Sequence, residues 1–385
     1  MKAVKIKEGI YWVGGIDWDL RNFHGYVTQR GSTYNAYLII DEKITLIDTV
    51  KHYLCDEMIA RIKDVVDPVK IDYIVSNHVE MDHSGALPRI AALAPNAKIL
   101  TSTNGEKGLL AHYGKLNYEV VPSGSSVKLG KRSLSFVHTP MVHWPDNMVT
   151  WCPEEKILFS NDAFGQHIAS TQRFDDEYPL TTVLDEARKY YANIVLPYGM
   201  QVQKALEALK DLPVEIIAPS HGIIWRKSLA EIIELYKKWS SNETKEHAVI
   251  VYDTMWGSTG KMAHAILAAF EAKGISAELF DLKLTHISDI MTSVIESKYI
   301  CVGSSTLNNN MLPTVASFLT YFKGLAPKNR TALAFGSYGW GGQSVGQVEE
   351  VFTALKYTMM EQIRLQWLPT EEKLAEITKK VESSL

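Results

Sequence analysis

Cysteine is scarce. Only Cys55, Cys152 and Cys301 occur in 385 residues, far apart and with no CxxC pair. That excludes a zinc ribbon, a cysteine-ligated iron–sulfur cluster and a rubredoxin-type iron site within the chain. An odd, scattered set also fits a reducing compartment, the cytoplasm by default, rather than a disulfide scaffold. Long apolar runs are missing as well. None approaches the ~18–20 residues needed to span a bilayer, so no membrane association is expected. The opening MKAVKIKEGIYWVGG lacks the apolar stretch and small-residue cleavage site of a secretory signal. Nor does charge of one sign dominate: 40 Lys and Arg against 44 Asp and Glu give a net charge of −4. Nucleic acid and anionic membranes are poor partners for such a surface.

What is present describes a globular protein, with 46% hydrophobic and 22% charged residues. At ~150 residues per domain the length suggests two or three domains. The polar stretch WSSNETKEH, residues 239–247, separates a helical pattern from the apolar strand AVIVYD and reads as a linker. The expected domains are 1–245 and 246–385. In the first, short strands such as AYLIID, IDYIVS, SLSFVH and KILFS alternate with a few helices, predicted near 56–66, from Ser84, and over 184–192. This pattern suggests an α/β/β/α sandwich of mixed sheets. In the second, five βα units within ~140 residues predict a doubly wound parallel sheet.

Directly after IDYIVS the chain reads Asn77-His78-Val79-Glu80-Met81-Asp82-His83-Ser84. Four potential metal ligands fall within six residues at a strand end; the competing reading is a polar loop in which Asp82 or Ser84 caps a helix. His143, Asp162 and His221 each follow another apolar strand, where loops converge on a site. Together these give four imidazoles and three carboxylates without a thiolate. Seven ligands exceed one tetrahedral zinc and suit two metals sharing a carboxylate. The set is compatible with iron, manganese or zinc, and its anionic oxygens favour an ion that cycles to a trivalent state.

The order H-x-E-x-D-H followed by H, D and H resembles the metallo-β-lactamase superfamily, with Glu80 where its hydrolases usually carry a second His. That change resembles the flavodiiron protein family. The resemblance implies that His78, Glu80 and His143 hold one non-haem iron, that Asp82, His83 and His221 hold the other, and that Asp162 bridges them. His24 and Tyr198 fall in stretches similar to family segments around the ligands, where an oxygen-pocket role and a purely structural role both fit.

In the second domain, AVIVYD runs into Thr254-Met255-Trp256-Gly257-Ser258-Thr259, small and hydroxylated residues able to wrap a phosphate at a helix N-terminus. No G-x-x-x-x-G-K-[ST] spacing supports nucleoside triphosphate hydrolysis. Two more strand ends lead into Ser304, Thr306, Leu307, Asn308 and Asn309, and into Ser337, Tyr338, Gly339, Trp340, Gly341 and Gly342. Such loops meet at the switch point of a flavodoxin-type sheet, where FMN is expected, with Trp256, Tyr338 and Trp340 offering aromatic faces to the ring. This half resembles flavodoxin, and the order of the two halves is again that of flavodiiron proteins. The resemblance implies reduction of dioxygen to water, nitric oxide to nitrous oxide, or both. It also implies a head-to-tail homodimer or dimer of dimers, fed by an external donor: rubredoxin first, a reduced deazaflavin or a reductase otherwise. The competing readings are a zinc hydrolase with a flavodoxin-like regulatory module, and a flavodoxin-like carrier with a vestigial metal site.

Overall fold

The computed structural model describes residues 1–385. Its contacts divide the chain into two compact units, Met1–Tyr190 with Met200–Lys237, and Tyr191–Gly199 with Lys238–Leu385. No helix is long and apolar enough to cross a membrane.

The first unit is built on two sheets. One has seven strands, running in order Val4–Lys7, Ile10–Trp12, Tyr37–Ile39, Ile44–Ile47, Ile71–Ser76, Lys98–Thr101 and Tyr118–Val120. It is antiparallel at its N-terminal edge and parallel from Ile44–Ile47 onward. The other has five: Ser126–Lys128, Ser133–His138, Met148–Cys152, Ile157–Asn161 and Ile216–Pro219. Because side chains alternate across a strand, each sheet has two faces to bury. Trp12, Ile47, Val75 and Leu100 meet Phe136, Met148, Phe159 and Ile216 between the sheets. Residues one step along, including Leu46, Ile74 and Ile99, pack outward against Met58, Ile62, Leu87 and Ile90 of the helices. The result is the four-layer αββα arrangement.

The second unit is a parallel sheet in the order Ser276–Asp281, Lys245–Asp253, Ser297–Ser304, Thr331–Tyr338, ending in the short strands Thr358–Met359 and Ile363–Gln366. The first strand in sequence thus lies second in space, the doubly wound flavodoxin order. One face is closed by the helix Ser258–Ala272, which buries Met262, Ile266 and Phe270 against Ala248, Ile250 and Cys301.

Three local expectations are corrected. The polar stretch 239–247 is mostly regular: the helix Leu229–Ser241 and the strand Lys245–Asp253 leave only Asn242, Glu243 and Thr244 between them. Its exposed residues are Ser241, Glu243, Lys245 and Glu246, whereas Trp239, Ser240 and Asn242 are buried. The helix predicted from Ser84 begins earlier, as Met81–Ser84, and a second, Leu87–Leu93, starts with Pro88 in its first turn. The helix predicted over 184–192 runs over Leu180–Tyr190 and passes into a wider turn, Tyr191–Val195. That turn packs within the second unit, where Asn193 donates to the Ser288 carbonyl (3.0 Å) and accepts from the Tyr321 hydroxyl (2.8 Å).

Candidate functional sites

The loops at one end of the αββα unit are stitched to one another before any ligand is considered. Asp48 accepts from both the backbone N–H (2.8 Å) and the amide (2.9 Å) of Asn77. Asn77 in turn accepts from the Thr150 hydroxyl (2.7 Å) and, at its carbonyl, from Met148 N–H (3.0 Å), so the 77–84 loop is fixed to both sheets. Asn147 donates to Asn161 (3.0 Å), and Asn161 donates to Ser220 (3.2 Å), tying together the strand ends that precede Asp162 and His221. After His221 comes Gly222 at φ +76°, where an added Cβ would meet the Gln166 side-chain oxygen at 1.9 Å. Only glycine lets the chain turn there.

The seven predicted ligands are brought together in two groups, His78 with Glu80, His143 and Asp162, and Asp82 with His83 and His221; within each, donor atoms lie within 4.8 Å of one another. Asp162 belongs to both. Its Oδ1 lies 2.9 Å from His83 Nε2 and 3.3 Å from His221 Nε2, while Oδ2 lies 3.3 Å from His143 Nε2 and 3.6 Å from His78 Nε2. One carboxylate thus presents one oxygen to each group. Neither Asp82 nor Ser84 is a helix cap: the residue before the short helix is Glu80, and its side chain makes no capping bond.

Two imidazoles have their orientation fixed from behind. His78 Nδ1 is 2.8 Å from Asp146, whose same oxygen accepts from Val79 N–H (2.7 Å), and His221 Nδ1 donates to the Thr33 carbonyl (3.0 Å). Each ring therefore turns Nε2 toward the carboxylates. Burial alone would push both imidazoles toward neutrality. The carboxylates override it, holding His78 well above its ordinary pKa and His221 up to about 10. Against the same opposing burial, the imidazoles His24 and His78 hold Glu80 below the usual carboxylate range, and His83, His143 and His221 hold Asp162 well below it.

The donor chemistry fits metal ions on an independent ground. Both carboxylate oxygens of Asp82 and of Asp162, and both ring nitrogens of His83, are buried with no hydrogen-bond partner. Buried polar atoms without partners are costly; lone pairs converging at 3 to 4 Å with poor hydrogen-bond angles are the arrangement a cation resolves.

His24 sits at the open edge. Its ring is 69% exposed and its Nε2 is 2.8 Å from Glu80 Oε1, which raises the imidazole pKa. Tyr198 instead ends a short helix, Leu196–Tyr198, in the segment that belongs to the second unit.

In the second unit, a cleft of about 520 Å³ opens at the strand ends, inside the ~300–1,000 Å³ range of cofactor sites. Of the predicted residues, Met255, Trp256, Ser258, Thr306, Asn308, Asn309, Ser337, Tyr338, Gly339, Trp340 and Gly341 line it. The others lie off the lining. The Thr254 hydroxyl accepts from Gly257 N–H (3.1 Å), and Gly257, at φ +86°, opens the helix Ser258–Ala272. Thr259 is buried, with its hydroxyl 3.0 Å from Ser305 and 2.8 Å from Ser337, joining the three strand-end loops at one point. Ser304 accepts from Leu312 N–H (2.9 Å), Leu307 is in the small hairpin with Asn310, and Gly342 opens the helix Gln343–Ala354. Trp256 and Trp340 are 87% and 89% exposed at the cleft mouth, unusual for indoles without a ligand to cover.

Residues 33–222 match the ODP family of beta lactamases and residues 250–380 match flavodoxin. The chain is 47% identical over 381 residues to a nitric oxide reductase from Moorella thermoacetica, covering 97% of this chain and 96% of the relative. It is 43% identical to a rubredoxin-oxygen oxidoreductase from Megalodesulfovibrio gigas, over 93% of this chain and 91% of that one. The solved flavodiiron protein of Giardia intestinalis superposes with a TM-score of 0.97 at 35% identity, covering 100% of this chain and 96% of that one. The chain belongs to the flavodiiron family.

Within this flavodiiron chain, several residues around the two sites were not singled out from the sequence. Asp146 lies in the stretch HTPMVHWPDNM, three residues beyond His143, and its Pro-Asp-Asn turn was the available signal. Asn77, Thr33, Ser305, Trp367 and Leu368 gave none, because each acts through a partner distant in sequence.

Proposed function

We propose that this protein is a flavodiiron oxidoreductase that reduces dioxygen to water, nitric oxide to nitrous oxide, or both, with residues 1–245 carrying the metals and 246–385 the flavin. The observation that carries the reading is Asp162, whose two oxygens address two separate ligand groups, as a carboxylate shared by a metal pair requires. His78, Glu80 and His143 would hold one iron, and Asp82, His83 and His221 the other. When bound, two ferrous ions and a reduced FMN supply four electrons, enough to take one O2 to two waters, or two nitric oxide molecules to nitrous oxide and water with two to spare.

The chain's own contributions follow from the geometry. Glu80, Asp82 and Asp162, all buried, would offset the positive charge of bound metals. Asp146 and the Thr33 carbonyl hold His78 and His221 in the tautomer that presents Nε2. His24 keeps a proton on Nε2 against Glu80 at the exposed edge, where a reduced product needs protons. Trp256, Tyr338 and Trp340 would flank the flavin ring, with the phosphate at the start of the helix Ser258–Ala272.

Electrons come from an external donor. Rubredoxin is supported by the name of the Megalodesulfovibrio gigas relative; a reduced deazaflavin or a reductase is the other source. A head-to-tail homodimer or dimer of dimers is the proposed assembly, and three unpaired, buried cysteines favour the cytoplasm. The test is metal and flavin analysis followed by anaerobic reduction and stopped-flow mixing with each gas. Two irons and one FMN per chain with rapid reoxidation are expected. Two zincs without flavin would instead favour a hydrolase, and a flavin that neither gas reoxidises would remove the proposed activity.

A further inference from the structure

Outside the ligand cluster, the first unit contains a cavity of about 20 Å³. It lies on the outer face of the five-stranded sheet, where Val149 and Leu158 form a small apolar cluster apart from the inter-sheet core. The helix Gly199–Leu209 covers it with Val202, Ala205, Leu206 and Leu209, a face repeating at helical spacing. Ala205 is the smallest side chain on that face. Protein interiors are otherwise close-packed, so such voids are few.

The wall nearest the ligand loops places the cavity in relation to the metal cluster. Val142 is bonded directly to His143, and Ala163 directly to Asp162; both line the cavity, together with Phe164. Three polar side chains border it, Thr139, Ser160 and Tyr236. The Ser160 hydroxyl donates to the Ala163 carbonyl (2.8 Å), and the Tyr236 hydroxyl accepts from Phe164 N–H (2.6 Å). A water needs ~10–15 Å³ and two to four polar partners. The space suffices, but nine of the twelve lining residues are apolar, so this void suits a small uncharged molecule better than water.

We propose that the cavity is a holding site for the diatomic gas, beside His143 and Asp162 and fed past the helix Gly199–Leu209. This rests on the gas-reducing function argued above. Oxygen and nitric oxide are small and uncharged, the kind of guest a dry apolar void accepts, and a site one residue from two of the proposed ligands would hold the gas close to where it is consumed.

The test has a structural arm and a kinetic arm, both on the iron- and flavin-loaded protein. Crystals pressurised with xenon are expected to show it in the wild-type cavity and not in Ala205→Leu. Stopped-flow reoxidation of reduced Ala205→Leu should give a second-order rate constant with the gas about fivefold below wild type, with the limiting rate at saturating gas unchanged. Ala205→Val, a smaller filling, should fall between, and unchanged iron and flavin content checks that both variants fold. Absence of xenon from the wild-type cavity, or an unchanged second-order rate in Ala205→Leu, would overturn the proposal. A wild-type protein inert to both gases would overturn the function reading itself and the cavity's role with it, even with xenon bound.

Discussion

The metal cluster and the flavin cleft lie at strand ends of two α/β units, yet they are prepared for their ligands in opposite ways. The cluster concentrates formal charge in a buried space: Asp82, Asp162, His78, His83 and His221 are almost fully shielded from solvent. It is kept in register by hydrogen bonds from residues outside the ligand set, among them Asp146 on His78, Thr33 on His221 and Asp48 on Asn77. The cleft uses almost no charge. Its equipment is backbone amides at a helix start, the Thr259–Ser305–Ser337 hydroxyls and exposed indoles. Small, hard cations demand fixed, charged donors, whereas a large planar cofactor is held by area and by a few directed dipoles. The difference implies that the two sites fail independently, and in different degrees.

The sharpest way to break that independence is Asp162→Asn. It removes the charge shared by both ligand groups, and the expected outcome is near-complete loss of metal and of gas-dependent reoxidation with FMN stoichiometry unchanged. Metal analysis and the flavin spectrum of the same sample decide this, and concurrent loss of FMN would show the sites to be coupled. Asp146→Asn should be milder, weakening metal binding by about 10–100-fold through a misoriented His78, read by competition with a chelator.

Loading the cluster should also release protons, because the carboxylates hold His78, His83 and His221 above the ordinary imidazole pKa, His221 up to about 10. Metal must displace those protons, so apparent affinity is expected to rise as pH increases toward that value. Calorimetry in buffers of different ionisation enthalpy measures the release directly. On the flavin side, Trp340→Ala should raise the FMN dissociation constant about three- to tenfold, the worth of one aromatic contact, and leave the metals in place. Thr259→Val is the smallest change proposed. Loss of one buried hydroxyl with two partners should cost about 1 kcal/mol of stability, measurable by denaturant unfolding of the apoprotein.

Much of this was legible in the chain because both sites are written at strand ends. Four of the proposed ligands fall in one short loop, and the other three each follow an apolar run, so local pattern suffices to nominate residues that the fold brings together. Asp146 escaped because its meaning depends on a contact with His78, 68 positions away in the chain. Trp367 escaped for the same reason, reaching the cleft after the last strand of its sheet. The stretch 239–247 misled because polar composition does not report irregularity: it spans a helix end with Ser240 buried, a short turn with Asn242 buried and an exposed strand start.

The segment Tyr191–Gly199 gives the architecture a property that two domains in tandem would not have. The chain leaves the first unit after Tyr190, contributes nine residues to the second, returns at Met200, and leaves again after Lys237. Tyr190, the last residue before the first departure, packs beside His167 and His221. The peptide chain therefore passes between the two units three times. A flavodoxin fragment begun at residue 246 would be missing the Asn193 that engages Ser288 and Tyr321, and no single cut yields two intact modules. Recombination with another flavodoxin would have to exchange a stretch from the middle of the first unit as well.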